Sequence, residues 1–172
     1  SPAAFSLFTR LLRSATTGHL SDDDIAASLK EVAQLAPDTT GYAADTAHGR
    51  TLSHRAWLRA NEARFRLKRE WEDFFSRYDV LLCPASCRAA SPHDEATPRA
   101  ERVTSINGRM LPGSNELFWA GLIGMVYLPS TVAPIGATRD GLPIGVQIVG
   151  RWYHDRTTIA FARLLEREVR AF

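Results

Sequence analysis

Apolar residues recur along this chain with two periods, a helical one at spacings of three and four and an extended one, and together they predict its elements. Phe5, Phe8, Leu11 and Leu12 repeat at helical spacing behind Pro2, which a first helical turn tolerates, so residues 2–14 read as an amphipathic helix. Ser21 stands where an N-cap is needed. Asp22, Asp23 and Asp24 suit the positive end of a helix dipole and Pro37 stops the segment, giving a second helix over 22–36. Residues 39–49 are small and polar and read as a connecting loop. Ser53 then caps a long helix over 54–78, whose stripe of Trp57, Ala60, Leu67, Trp71, Phe74, Phe75 and Tyr78 faces a core. On its other face, opposite charges four apart, such as Glu62 with Arg66 and Lys68 with Glu72, offset one another.

The run Asp79-Val80-Leu81-Leu82-Cys83-Pro84 is short and continuously apolar, which predicts a buried strand over 79–84 in a sheet covered by helices on both faces. Residues 85–105, rich in Pro, Ser, Arg and acids, read as a long exposed loop, and Asn107-Gly108 marks a reversal. Ser114 caps a helix over 115–125 with Leu117, Phe118, Leu122 and Ile123 inward. Gly121 and Gly124 on it either allow close packing or leave room for a ligand. The strongest turn signal is Asp140-Gly141. Lying between Val132–Ile135 and Ile144–Val149, it predicts a β-hairpin over 128–150. Pro134 and Pro143 belong at strand ends or bulges there, because neither can donate to a ladder. Asp155 caps a last helix over 155–172, with Phe161, Leu164, Leu165, Val169 and Phe172 as its apolar side. The whole reads as a single α/β domain.

Composition narrows the function classes. A chain of 172 residues, 45% hydrophobic and 23% charged, can bury a core, and nothing in it suggests disorder. No apolar run approaches the roughly 20 residues that a bilayer needs, so no membrane segment is expected. The chain starts Ser1-Pro2 without Met or a leader-like segment, which fits a piece of a longer protein. Its 21 basic and 19 acidic residues are interspersed and leave a net charge of +2, which argues against direct contact with nucleic acid. Cys83 and Cys87 flank Pro84 with no second ligand pair, so no metal site is expected. Cys83, at the end of an apolar run, reads as a small buried hydrophobe in a reducing cytoplasm.

Few residues offer catalytic chemistry. Ser86, Ser91, His93 and Asp94 form the only local Ser-His-Asp cluster, but they share one loop. A triad needs its members on separate rigid elements beside an oxyanion hole, so this cluster reads as surface chemistry. The three aspartates at 22–24 read as dipole complements rather than cation ligands.

Three blocks carry a resemblance: Tyr78-Asp79-Val80-Leu81-Leu82-Cys83-Pro84, then Leu128-Pro129-Ser130-Thr131-Val132-Ala133-Pro134-Ile135-Gly136, then Gly141-Leu142-Pro143-Ile144-Gly145-Val146-Gln147-Ile148-Val149-Gly150. Followed by Asp155 and a final helix, and preceded by the long helix from Ser53, they resemble the C-terminal portion of the amidase signature family. The resemblance implies an incomplete amidase signature fold, the C-terminal part of a mixed β-sheet. It also implies amide hydrolysis or transfer by a Ser-Ser-Lys triad, without a cofactor, in stand-alone amidases or in the amidase-like component of aspartyl/glutamyl-tRNA amidotransferase. The family's Gly/Ser-rich signature lies N-terminal to these blocks, and this chain holds no Gly-Gly-Ser-Ser run. Its only lysines, Lys30 and Lys68, are expected on polar helix faces, so no catalytic residue carries over.

The resemblance further implies that this region completes the sheet and one wall of the substrate pocket. Some glutamine-using members place an acid before the Leu-Pro block to hold the substrate's amino group, and the nearest candidates here are Asn115 and Glu116. The intervening Leu117–Tyr127 does not follow that pattern, and Glu116 also suits a helix N-terminus, which favours a general amidase. Three readings follow: the C-terminal, catalytically incomplete portion of such an enzyme, partnered by a missing N-terminal catalytic portion and acting on a small amide; an independent binding module; or a hydrolase using Ser86 or Ser91 with His93. Lost contacts also predict exposed sheet surface and a homodimer.

Overall fold

A computed structural model of the chain describes residues 1–36, 39–98 and 101–169. Pro37, expected to close the second helix, and Phe172, expected on the apolar side of the last, lie outside the described residues, as does the Val169 side chain. Contacts divide the chain into two compact units, Ser1–Leu67 and Lys68–Phe172. The physical reason lies in the first three helices, which bury their inner sides on one another.

The first unit contains α1 (Pro2–Ala15), α2 (Asp22–Gln34) and α3 (Tyr42–Arg50), and α4 (His54–Phe75) begins in it. The start of α2 is fixed by a reciprocal cap: Asp24 N donates to Ser21 Oγ at 3.2 Å and Ser21 N donates to Asp24 Oδ2 at 3.0 Å. Hydrogen bonds from the Ser21 side chain and backbone hold the Asp24 carboxyl below its ordinary value.

Helix α3 corrects the loop expected over 39–49. Its buried face is Ala44, Asp45, Ala47 and Gly49, a face of small residues and one carboxylate that carries no apolar periodicity. Small residues let α3 approach α1 closely: a Cβ on Gly49 would lie 2.7 Å from Arg13 Cβ and 2.8 Å from the Arg10 carbonyl oxygen. Asp45 fastens the crossing, accepting from Ser6 Oγ and Arg10 Nε, each at 2.7 Å, and the Arg13 guanidinium donates to the Tyr42 hydroxyl. Because Gly49 meets backbone rather than a yielding side-chain tip, Gly49→Ala is expected to lower stability by about 2 kcal/mol, read as a shifted urea midpoint at unchanged m.

The second unit is built on a three-stranded sheet of β1 (Val80–Pro84), β4 (Ser130–Ala137) and β5 (Pro143–Gly150), in the order β1-β5-β4 and antiparallel throughout. The β4–β5 turn runs through Gly141 at φ 82°, where the Thr138 N–H donates to the Leu142 carbonyl at 2.8 Å. Pro134 sits beside a register shift before Gly136, and Pro143 opens β5, so neither interrupts the ladder. Ile148 and Val149 of the central strand are fully buried. Helix α6 (Asp155–Val169) packs on β4 and β5. The contact is close: Thr131 and Thr158 hydroxyls meet at 2.8 Å, and a Cβ on Gly150 would lie 2.7 Å from Thr158 Cγ2.

A separate hairpin pairs β2 (Val103–Ile106) with β3 (Arg109–Pro112) through Asn107 and Gly108, both at positive φ. Strand β2 therefore begins inside the stretch expected as loop to 105. Helix α5 covers only Phe118–Met125, because residues Gly113–Leu117 form a 3-10 turn instead of the first turn expected from 115. Ser114 Oγ is buried without a partner rather than capping, and Asn115 Nδ2 donates back to the Pro112 carbonyl at 2.9 Å.

Helix α4 ends at Phe75 rather than 78, with Tyr78 53% exposed and not in the core stripe. Lys68 also departs from its expected polar face. It is buried, its ammonium 2.7 Å from the Trp152 ring centroid, while Arg151 Nε pairs with Glu72 Oε2 at 2.7 Å. Both partners come from the segment after β5, so the α4 sequence alone does not announce them.

Candidate functional site

A cavity of about 670 Å³ in the second unit opens where β1 ends. Its floor is apolar because both edge strands and the hairpin tip turn branched side chains toward it: Leu82 from β1, Val132 and Ile135 from β4, Ile144 and Val146 from β5. Gly145 keeps the floor low, since a Cβ there would lie 2.8 Å from Val132 Cγ1. The chain leaving β1 forms the opposite wall with Pro84, Ser86, Cys87 and Arg88.

Polar chemistry is sparse at this wall. Arg88 Nε pairs with Glu116 Oε1 at 2.7 Å, with both side chains about one third exposed, which ties the wall to the 3-10 turn. Cys83 is buried, and burial pushes its thiol up from the ordinary value. Cys87 is half-buried, and neither cysteine is in a disulfide.

Of the two candidate pocket residues, Glu116 reaches the cavity rim through Arg88, whereas Asn115 is spent on its own turn. Ser86 lines the cavity, but Ser91 and His93 do not, and no hydrogen bond among the described residues joins these three. Asp94 accepts from Thr97 N at 2.9 Å, a local turn contact that holds its carboxyl below the ordinary value. Lys30 is exposed on α2 and Lys68 lies under Trp152. Among the described residues, no three His, Cys, Asp or Glu side chains converge as a metal site. None of the described helices is long and apolar enough to cross a membrane.

The cavity is not visible in the sequence because three separate segments supply it. The one local signal is the pair of branched runs, Val132–Ile135 and Ile144–Val149, both richer in apolar residues than a hairpin with one wet face requires.

A family profile described as Amidase matches residues 24–159. Indoleacetamide hydrolase of Bradyrhizobium diazoefficiens is 33% identical over 127 residues, covering 70% of this chain and 22% of that protein. The mitochondrial glutamyl-tRNA(Gln) amidotransferase component GatA of Canis lupus familiaris is 28% identical over 163 residues, covering 88% of this chain and 28% of that one. A solved amidase shares the fold at TM-score 0.70 and 21% identity, over 96% of this chain and 35% of that structure. The chain thus spans less than a third of the length of these two curated relatives. It belongs to the amidase family, the amidase signature enzymes whose blocks its residues 78–84, 128–136 and 141–150 resemble.

Proposed function

We propose that this chain is the C-terminal structural and pocket-wall portion of an amide hydrolase or amidotransferase that works through a Ser-Ser-Lys triad, and that it is inactive alone. The observation that carries this reading is an apolar cavity with no acid-base set around it: its lining offers one serine, two thiols, a threonine hydroxyl that accepts from the Leu142 N–H, and a guanidinium already paired with Glu116. A serine nucleophile needs an adjacent base and preorganised donors, and both lysines are elsewhere, one in solvent and one against an indole.

The partner is an N-terminal catalytic portion. Strands β1 and β4 are both edges of the described sheet, and Leu82, Val132, Ile135 and Ile144 are each at least 39% exposed. Open edges and clustered apolar side chains call for a covering partner. The N-terminal portion would complete a mixed sheet there, and without it a second copy would compete for the same surface. The substrate is a small amide whose acyl group is apolar, because the wall offers branched hydrocarbon and no free charge; this agrees better with a stand-alone amidase than with a component of a tRNA amidotransferase. Glu116 and Asn115 shape the wall indirectly, Glu116 by holding Arg88. Two free cysteines suit a cytoplasmic protein.

A fluorophosphonate probe tests the reading. The isolated chain is expected to remain unlabelled at Ser86 and Ser91, as mapped by peptide mass spectrometry. Stoichiometric labelling of either serine that is lost in His93→Ala would establish a self-sufficient hydrolase instead.

A further inference from the structure

Three described non-glycine residues hold a positive φ: Asn107 at 52°, Tyr127 at 61° and Tyr153 at 64°. Asn107 occupies an Asn-Gly turn that demands it, but a bulky aromatic residue in the left-handed region is strained by about 1–3 kcal/mol. Both strained tyrosines line one cavity of about 510 Å³, which shares no residue with the apolar cavity at the end of β1. Its other lining residues are Gly124, Leu128, Pro129, Trp152 and Asp155.

The lining has a definite chemistry. Tyr127 is 52% exposed and Tyr153 is 78% exposed, so both residues reach the surface at this cavity. Tyr153 stacks on Trp152 with ring centroids 4.3 Å apart, and the Lys68 ammonium lies 2.7 Å from the Trp152 centroid. The indole thus already serves one ammonium of the protein and stacks on the Tyr153 ring of the same lining. Asp155 is the single charged residue of the lining, and no hydrogen bond or ion pair engages its carboxylate among the described residues. A Cβ on Gly124 would meet nothing within 4 Å, so that glycine leaves room here instead of serving helix packing.

We propose that this cavity binds an alkylated ammonium group, such as choline or a trimethylated lysine carries. Aromatic faces attract a cation through their quadrupole, and methyl groups on the cation lower its desolvation cost while one carboxylate balances its charge. Calorimetric titration of the chain with choline, with Nε-trimethyllysine, and with the neutral choline isostere bearing a tert-butyl group decides it. Choline or trimethyllysine is expected to bind about tenfold more tightly than the isostere, the size of a cation–π contribution; which of the two binds better identifies the source of the group. Tyr153→Leu and Asp155→Asn should each weaken the cation without weakening the isostere, and Asp155→Asn, which removes only a charge and no hydrogen bond among the described residues, carries the test should the leucine variant fail to fold. Equal affinity for cation and isostere, or no binding of either ammonium, overturns the proposal.

Discussion

Ile148→Ala is expected to lower the unfolding free energy of the Lys68–Phe172 unit by about 3 kcal/mol, within the range for removing a buried isoleucine beyond Cβ. The residue is fully buried in β5, the central strand, with Leu82 of β1 and Thr131 of β4 as its register partners. Its face is the one on which α6 lies, because its neighbour Thr131 meets Thr158 and Gly150 abuts the same threonine. A cavity there has close neighbours on every side and little freedom to collapse. Val132 lies on the edge strand at 57% exposure, and Val132→Ala is expected to cost only a few tenths of a kcal/mol. Urea unfolding followed by far-ultraviolet circular dichroism separates the two; equal losses would mean that the central strand is not the core of this unit.

Asp45→Ala is expected to loosen the Ser1–Leu67 unit by about 2 kcal/mol. The Asp45 side chain is 6% exposed and accepts two hydrogen bonds across the α1–α3 crossing, one from a charged group. Removing one member of a fully buried ion pair costs about 3–5 kcal/mol, but the Arg10 side chain is 37% exposed and water can serve it once the carboxylate is gone. Asp45→Asn keeps one acceptor and should lose about half as much. Hydrogen exchange in peptides of α1 and α3 reads this locally, and unchanged protection there in Asp45→Ala would place the strength of the crossing elsewhere.

Features that depend on neighbours in sequence were legible from the residues. Asn107-Gly108 and Asp140-Gly141 specify turns by supplying positive φ, and Ser21 with Asp24 specifies a helix start through a contact three residues apart. The family, too, is written in contiguous blocks. What the residues hid is whatever depends on partners distant in the chain. Helix α3 buries alanines, a glycine and an aspartate, a surface that only makes sense once α1 lies against it. Lys68 reads as a solvated residue until Trp152 is brought over it, and Glu116 reads as a helix-start acid until Arg88 arrives from the loop after β1. The β1-end cavity belongs to the same class, since its floor and wall come from three segments.

In the function we propose, this chain supports amide chemistry without performing it. The direct measurement is ammonia release from a small apolar amide, such as an arylacetamide, by the purified chain alone and in the complete protein that includes an N-terminal catalytic portion. The chain alone is expected to release no more ammonia than buffer, while the complete protein turns the amide over and loses that activity when the wall is altered by Ile144→Asp. Turnover by the isolated chain, abolished by Ser86→Ala, would contradict the proposal.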